Sequence, residues 1–209
     1  MKTKIAFKPW VGKNYEQGFL GTGKKVMVLG ESHYSYTPEA PNKSSGGKKE
    51  NLTVDAIEDF VHSSEWEPYK NTYIKFERAL AGKEVPKEER AAVWDSILFY
   101  NYVQTTIGTA RQAPTGEDFK SSRDLFFEVV NQYQPDYIIV WGRRLYNHLP
   151  QEGKQGEELM LNWNGTEFFE ETWEYTLDNG HTVKIMSVYH PSCGFSWDYW
   201  HEFIVKFVR

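Results

Sequence analysis

Cysteine is almost missing from this chain: Cys193 is the only one in 209 residues. A lone thiol has no partner for an intramolecular disulfide, so a reducing, cytoplasmic setting fits best. Long apolar runs are also absent, and none approaches the ~20 residues that span a bilayer, so no membrane association is expected. The opening Met1 to Lys8 is basic but lacks the apolar stretch of a signal peptide. Positive charge is scarce, with 24 Lys and Arg against 29 Asp and Glu and a net charge of −5. A dedicated duplex-DNA binder usually carries a basic balance, so tight duplex binding is disfavoured, whereas a local basic rim is not. No internal repeat and no linker divides the chain. A single domain over residues 1–209, acting as a monomer, is expected.

Aromatic residues, in contrast, are abundant at 16%, with eight Trp and thirteen Tyr. They suit either an aromatic-rich core or a cleft that stacks on planar ligands. Four apolar runs read as buried strands. They are Val26 to Leu29, Ile97 to Val103, Tyr137 to Trp141 and Val183 to Val188. Helical patterns separate them: Asn51 to Gly82, a start near Pro86 to Arg90, Lys120 to Tyr133, Arg143 to Leu149, and about Trp197 to Val208. Thr37 to Glu50, rich in Pro, Ser, Gly and Lys, reads as a long loop. Leu159 to Phe169 and Thr172 to Leu177 alternate, and Asn179-Gly180 is a strong hairpin signal. The expected fold class is α/β: a three-layer α/β/α sandwich around a mostly parallel four-stranded sheet.

Three of those strands run into polar residues: Gly30-Glu31-Ser32-His33-Tyr34, Tyr100-Asn101-Tyr102 and His190-Pro191-Ser192. Ligands of open α/β sheets bind outside the carboxyl ends of the strands, so these residues should converge. Taken singly, each has a plain structural reading, such as a loop cap for Asn101 or a satisfied buried histidine for His190.

The same segments resemble the uracil-DNA glycosylase superfamily. Val28-Leu29-Gly30-Glu31-Ser32-His33-Tyr34 is similar to its first motif. Leu98-Phe99-Tyr100-Asn101 is similar to the strand that carries its base-reading Asn, and Val188-Tyr189-His190-Pro191-Ser192 to its second motif. Phe7 to Gly12 and Arg111 to Pro114 resemble poorly characterised bacterial members. The resemblance implies hydrolysis of an N-glycosidic bond in a flipped nucleotide, without metal or cofactor. It implies that His190 stabilises the departing base and that Asn101 reads the base edge. Tyr34 would pack near the base C5, and Ser192 would touch the DNA backbone. DNA, as a single strand or a flipped base, or a free nucleobase or nucleotide, is the implied partner. Arg111, Arg143, Arg144 and the Lys48-Lys49 loop are the candidate phosphate contacts.

Departures from the family pattern are as informative. Ser32 stands where the family has Asp or Asn to position water, and serine is no anionic base near neutral pH. Glu31 is the substitute if its carboxylate faces the pocket. His33 replaces a Pro and adds a titratable group to the expected base-binding set of Asn101, Tyr34 and His33. Gly194 stands where a bulky wedge is usual, and Phe195 next to it reads either as that wedge or as a core residue. A four-cysteine iron–sulfur site cannot form with one cysteine. His33, His190 and Glu31 lack the spacing of common metal sites. A Ser32–His190 hydrolase lacks the Gly-x-Ser-x-Gly elbow. Gly21 to Lys25 precedes its strand, unlike a phosphate loop. Two classes stay open: an active glycosylase, and a non-catalytic base- or nucleotide-binding module on the same fold.

Overall fold

The computed structural model describes residues 5–34, 49–108 and 112–209. In chain order the strands are β1 (Trp10–Val11), β2 (Val26–Gly30), β3 (His33–Tyr34), β4 (Ile97–Asn101), β5 (Thr106–Ile107), β6 (Tyr137–Trp141), β7 (Lys154–Gln155), β8 (Leu159–Trp163), β9 (Thr166–Glu170), β10 (Thr172–Thr176) and β11 (Thr182–Val188). The helices are α1 (Leu52–His62), α2 (Lys70–Ala81), α3 (Lys87–Trp94), α4 (Gly116–Tyr133), α5 (Arg143–Asn147) and α6 (Trp197–Phe207). Among the described residues no helix is long and apolar enough to cross a membrane.

The main sheet has seven strands in the order β1-β4-β2-β6-β11-β10-β7. Its centre, β4-β2-β6-β11, is parallel throughout. These are the four apolar runs of the sequence. β2, β4 and β6 are buried at every position, as expected of parallel strands covered on both faces. Three antiparallel strands extend the sheet beyond the expected four: β1 on β4, β10 on β11, and β7 on β10. The expectation of a four-stranded sheet is corrected accordingly. β1 and β7 are two residues each, too short to leave an alternation in the sequence.

Alternation along the central strands builds two cores. Val26, Val28, Phe99, Ile139, Trp141 and Val188 share one apolar cluster with residues of α1, α2, α3 and α6. Met27, Leu29, Tyr100, Ile138, Val140 and Ile185 share the other with residues of α4 and α5. The parity is what matters here: Gly30 and Asn101 carry the first face onward to the strand ends.

Other boundaries differ from the sequence expectations for local reasons. The helical pattern from Asn51 to Gly82 divides into α1 and α2 around Pro68, which has no N–H for an unbroken helix. Lys70 fills the gap: its ammonium is held by the Asp59 carboxylate (2.9 Å) and by the carbonyls of Asp59 and Glu65. α4 begins at Gly116 and not Lys120, because Thr115 and Asp118 form a capping box. Leu159 to Phe169 is itself a hairpin, turned by Asn164 and Gly165 at φ of 52° and 80°.

Helices α2 and α3 are joined by a buried ion pair. Glu77, 1% exposed, accepts from Arg90 Nε (3.0 Å) and from the Trp94 indole N–H (3.1 Å). Burial raises the Glu77 pKa, and Arg90 and Trp94 oppose that. Removing one partner of such a pair leaves an uncompensated buried charge and costs about 3–5 kcal/mol. Arg90→Ala should therefore lose about 3 kcal/mol or more in urea unfolding, and a loss under ~1 kcal/mol would show that this pair does not tie the helices.

Candidate functional site

Strand register brings the polar ends together. Gly30 pairs with Asn101, Leu29 with Val140, and Val188 with Trp141, so the carboxyl ends of β2, β4, β6 and β11 coincide at one edge. Asn101 is 6% exposed and ends β4. Its side-chain oxygen lies so close to Gly30 that a Cβ there would come within 2.3 Å of it. Glycine is required at position 30 for that approach. Asn101 Nδ2 donates to His33 Nε2 (3.0 Å), and the Thr53 hydroxyl on α1 lies 2.8 Å from the same ring nitrogen. The Phe7 ring meets the imidazole edge-on at 5.0 Å. Buried Gln104 ties this corner to the N-terminal segment: its amide donates to the Asn101 carbonyl (2.8 Å) and accepts from the N–H of Phe7 (2.9 Å).

His190 stands two residues beyond β11, at a tight turn in which the Cys193 N–H donates to the His190 carbonyl (2.8 Å). Pro191 sits at the second position of that turn, where its fixed φ is favourable. The turn folds Ser192 back on the ring. The Ser192 N–H (3.2 Å) and hydroxyl (2.7 Å) both meet His190 Nδ1. A backbone N–H can only donate, so Nδ1 is bare and the neutral ring carries its proton on Nε2. The imidazole stands edge-on to Trp141 at 5.9 Å. Burial holds the His190 pKa below the usual histidine value; the Glu31 carboxylate opposes that and the Arg144 guanidinium adds to it. The ring is a neutral donor at pH 7.

Glu31 is not a free carboxylate. Arg144 of α5 grips it through Nε (2.8 Å) and Nη2, a bidentate fork. The Glu31 side chain is 10% exposed and that of Arg144 54%. Ser32 Oγ is shielded and has no hydrogen-bond partner among the described residues. It lies close enough to act on the Tyr34 phenol without making a bond of good geometry. Tyr34 is exposed on β3, and burial and the Glu31 charge raise its pKa while Arg144 and Ser32 lower it. The Trp141 indole N–H is a second shielded group without a partner among the described residues. Orphaned buried polar groups are rare in folded proteins, and two of them sit at this edge.

The other sequence candidates fall elsewhere or are already engaged. Arg143 bonds the Ser187 hydroxyl (2.9 Å) and pairs with the buried Glu170 of β9. Phe195 packs against the core, stacked on Trp200 at 6.4 Å. Arg111, Lys48 and the side chain of Lys49 lie outside the described residues. Among those described, no cluster of three or more His, Cys, Asp or Glu is arranged to hold a metal ion. Sequence reasoning missed Thr53, Trp141 and the grip of Arg144 on Glu31. That last contact spans 113 positions and leaves no local signal. In comparisons with known proteins, no family model and no curated protein matches the chain.

Burial lowers the His33 pKa from 6.5 to about 4. The unfolded chain therefore takes up this proton first, and stability conferred by neutral His33 is full above pH ~6.5 and falls away as the pH drops toward about 4. The loss is at most about 3 kcal/mol over that window, because His33 keeps part of its surface in solvent. Urea unfolding between pH 7 and 4 should show a steeper decline for the wild type than for His33→Gln; parallel profiles would contradict the assignment of a partly buried, neutral His33.

Proposed function

We propose that this protein binds a nucleobase at the carboxyl edge of its parallel strands and hydrolyses the N-glycosidic bond of a deaminated base in DNA, on a three-layer α/β/α fold of the uracil-DNA glycosylase kind. The observation that carries this reading is the state of His190. Its Nδ1 is occupied by Ser192, so Nε2–H is a fixed neutral donor, at the same sheet edge as the buried amide of Asn101. A base leaving as an anion needs such a donor, pre-oriented in a shielded site. The orphaned Ser32 hydroxyl and Trp141 N–H support an occupant at this edge.

In the reaction, a water oxygen bonds to C1′ as the C1′–N bond breaks, and the electron pair of that bond leaves with the base; the proton shed by the water passes to bulk solvent, which reprotonates the departed base anion, so the products are free base and an abasic sugar. His190 Nε2–H donates to the developing negative charge on the base oxygen. Asn101 selects the base, Ser32 holds the water, and Tyr34 borders the base. The protein is cytoplasmic in this reading, in keeping with an exposed, unpaired Cys193.

A specific observation favours the second reading, a binding module without catalysis. The Glu31 carboxylate is neutralised by Arg144, and Ser32 offers no negative charge to activate water. The engagement of Arg143 with Glu170 likewise points to weak contact with a phosphate backbone.

An excision assay separates the two, on single- and double-stranded DNA carrying uracil, hypoxanthine or xanthine. An active wild type should lose about a hundredfold to a thousandfold in rate on His190→Ala, the usual cost of removing such a donor. Asn101→Asp should change base preference, because a donor becomes an acceptor. Ser32→Asp should raise the rate by supplying a carboxylate at the water position. A wild type inert on every substrate, with an equally inert Ser32→Asp variant, decides for the binding module.

A further inference from the structure

We propose that strand β9 is a docking edge for an extended, basic segment of another protein, which adds as a third strand to the β8–β9 hairpin. This surface is separate from the base site and uses none of its residues.

The turn sets the hydrogen-bonding phase of the hairpin. Asn164 and Gly165 form a two-residue loop at φ of 52° and 80°, so the pair beside it, Trp163 and Thr166, exchanges backbone bonds. Bonded and non-bonded pairs then alternate down the strands. Leu161 bonds Phe168, whereas Asn162 with Glu167 and Met160 with Phe169 are non-bonded pairs. The N–H and C=O of Glu167 and Phe169 therefore point away from β8. The Met160 carbonyl shows the same phase on the other strand, since it accepts from the Lys206 ammonium of α6. α6 lies along β8, and β9 pairs with no further strand among the described residues. A row of backbone donors and acceptors left open in this way is a template for another strand.

The side chains of β9 are open as well: Thr166, Glu167, Phe168 and Phe169 are all exposed. The inner face of the hairpin is anchored. Leu159 and Leu161 pack on the core, and the Trp163 and Phe168 rings meet Tyr199 of α6 edge-on at 5.9 and 5.3 Å. Buried Glu170, paired with Arg143, pins the end of β9. On the outer face Met160 and Phe169 stand side by side, 46% and 52% exposed.

Charge around that apolar pair decides the partner. Glu167 lies two residues before Phe169, Glu171 two after it, and Glu158 two before Met160; all three are exposed. The ion pairs nearby use other carboxylates, Glu170 with Arg143 and Glu174 with Lys154. Such a rim repels the phosphates of nucleic acid. It repels a second copy too: laid antiparallel with Phe169 against Phe169, the copy sets Glu167 opposite Glu171, and like charges across a pair are destabilising. A strand with Lys or Arg at alternate positions and an apolar residue between them fits. It places cations opposite the glutamates and covers Phe169.

The test uses the full chain and the capped peptide Thr-Lys-Thr-Val-Thr-Lys-Thr, with Thr-Glu-Thr-Val-Thr-Glu-Thr as its charge-reversed twin. In amide NMR the lysine peptide at millimolar concentration should shift the Glu167 and Phe169 N–H signals and slow their exchange with solvent. The Phe168 N–H, already bonded to Leu161, should keep its exchange rate. The glutamate peptide should bind at least ~10-fold more weakly, and the double variant Glu167→Lys, Glu171→Lys should invert that order. A lysine peptide that leaves the two amides unmoved, or two peptides that bind equally, overturns the proposal. Oligothymidylate shifting these amides would give the edge to nucleic acid, and a dimer by light scattering that Phe169→Lys abolishes would give it to a second copy; either result also overturns it.

Discussion

Parallel strands paired in register must end together, and this constraint governs everything at the candidate site. β2 runs between β4 and β6, and β11 continues the set, with Gly30 against Asn101 and Trp141 against Val188. Each strand is buried at its apolar positions, so a slip of one residue would turn a whole core face outward. The hydrophobic patterning of four short runs thus fixes where Asn101, Glu31 and His190 stand, although 159 positions separate Glu31 from His190 in the sequence.

Charge is handled by pairing at this edge. The Glu31 carboxylate is gripped by Arg144, that of Glu170 by Arg143, and both histidines are held neutral by burial. What the proposed site would offer a ligand is a set of neutral dipoles: the His190 Nε2–H, the Asn101 amide, the Ser32 hydroxyl and the Trp141 N–H. Such a set suits a neutral planar polar molecule that gains partial negative charge. A highly charged one would face strong desolvation costs among these neutral groups. Preorganised dipoles in a shielded site are also the means by which a leaving anion is stabilised without reorganisation.

Much of this was legible in the sequence, and the exceptions have physical causes. The four parallel strands were readable because strands covered on both faces are continuous apolar runs. Residues at strand ends could be placed for the same reason, which is how Asn101 and His190 were singled out. The added edge strands β1 and β7 were not readable, since two residues carry no period. Nor was the fate of Glu31: a carboxylate's partner depends on tertiary contact, and Arg144 was read as a phosphate contact. His33 was visible only as an added titratable group, because its bond to Asn101 joins positions 68 apart. Phe195, open between wedge and core in the sequence, packs against Trp200.

The central claim is that one planar ligand meets Asn101 and His190 at the same time. Titrating the full chain with uracil, while following the Asn101 side-chain amide and the His190 imidazole by NMR, tests it most directly. Both signals should move along a single saturation curve, with the His190 proton remaining on Nε2. Signals that stay unmoved, or that move with separate curves, would contradict a shared site at the strand ends.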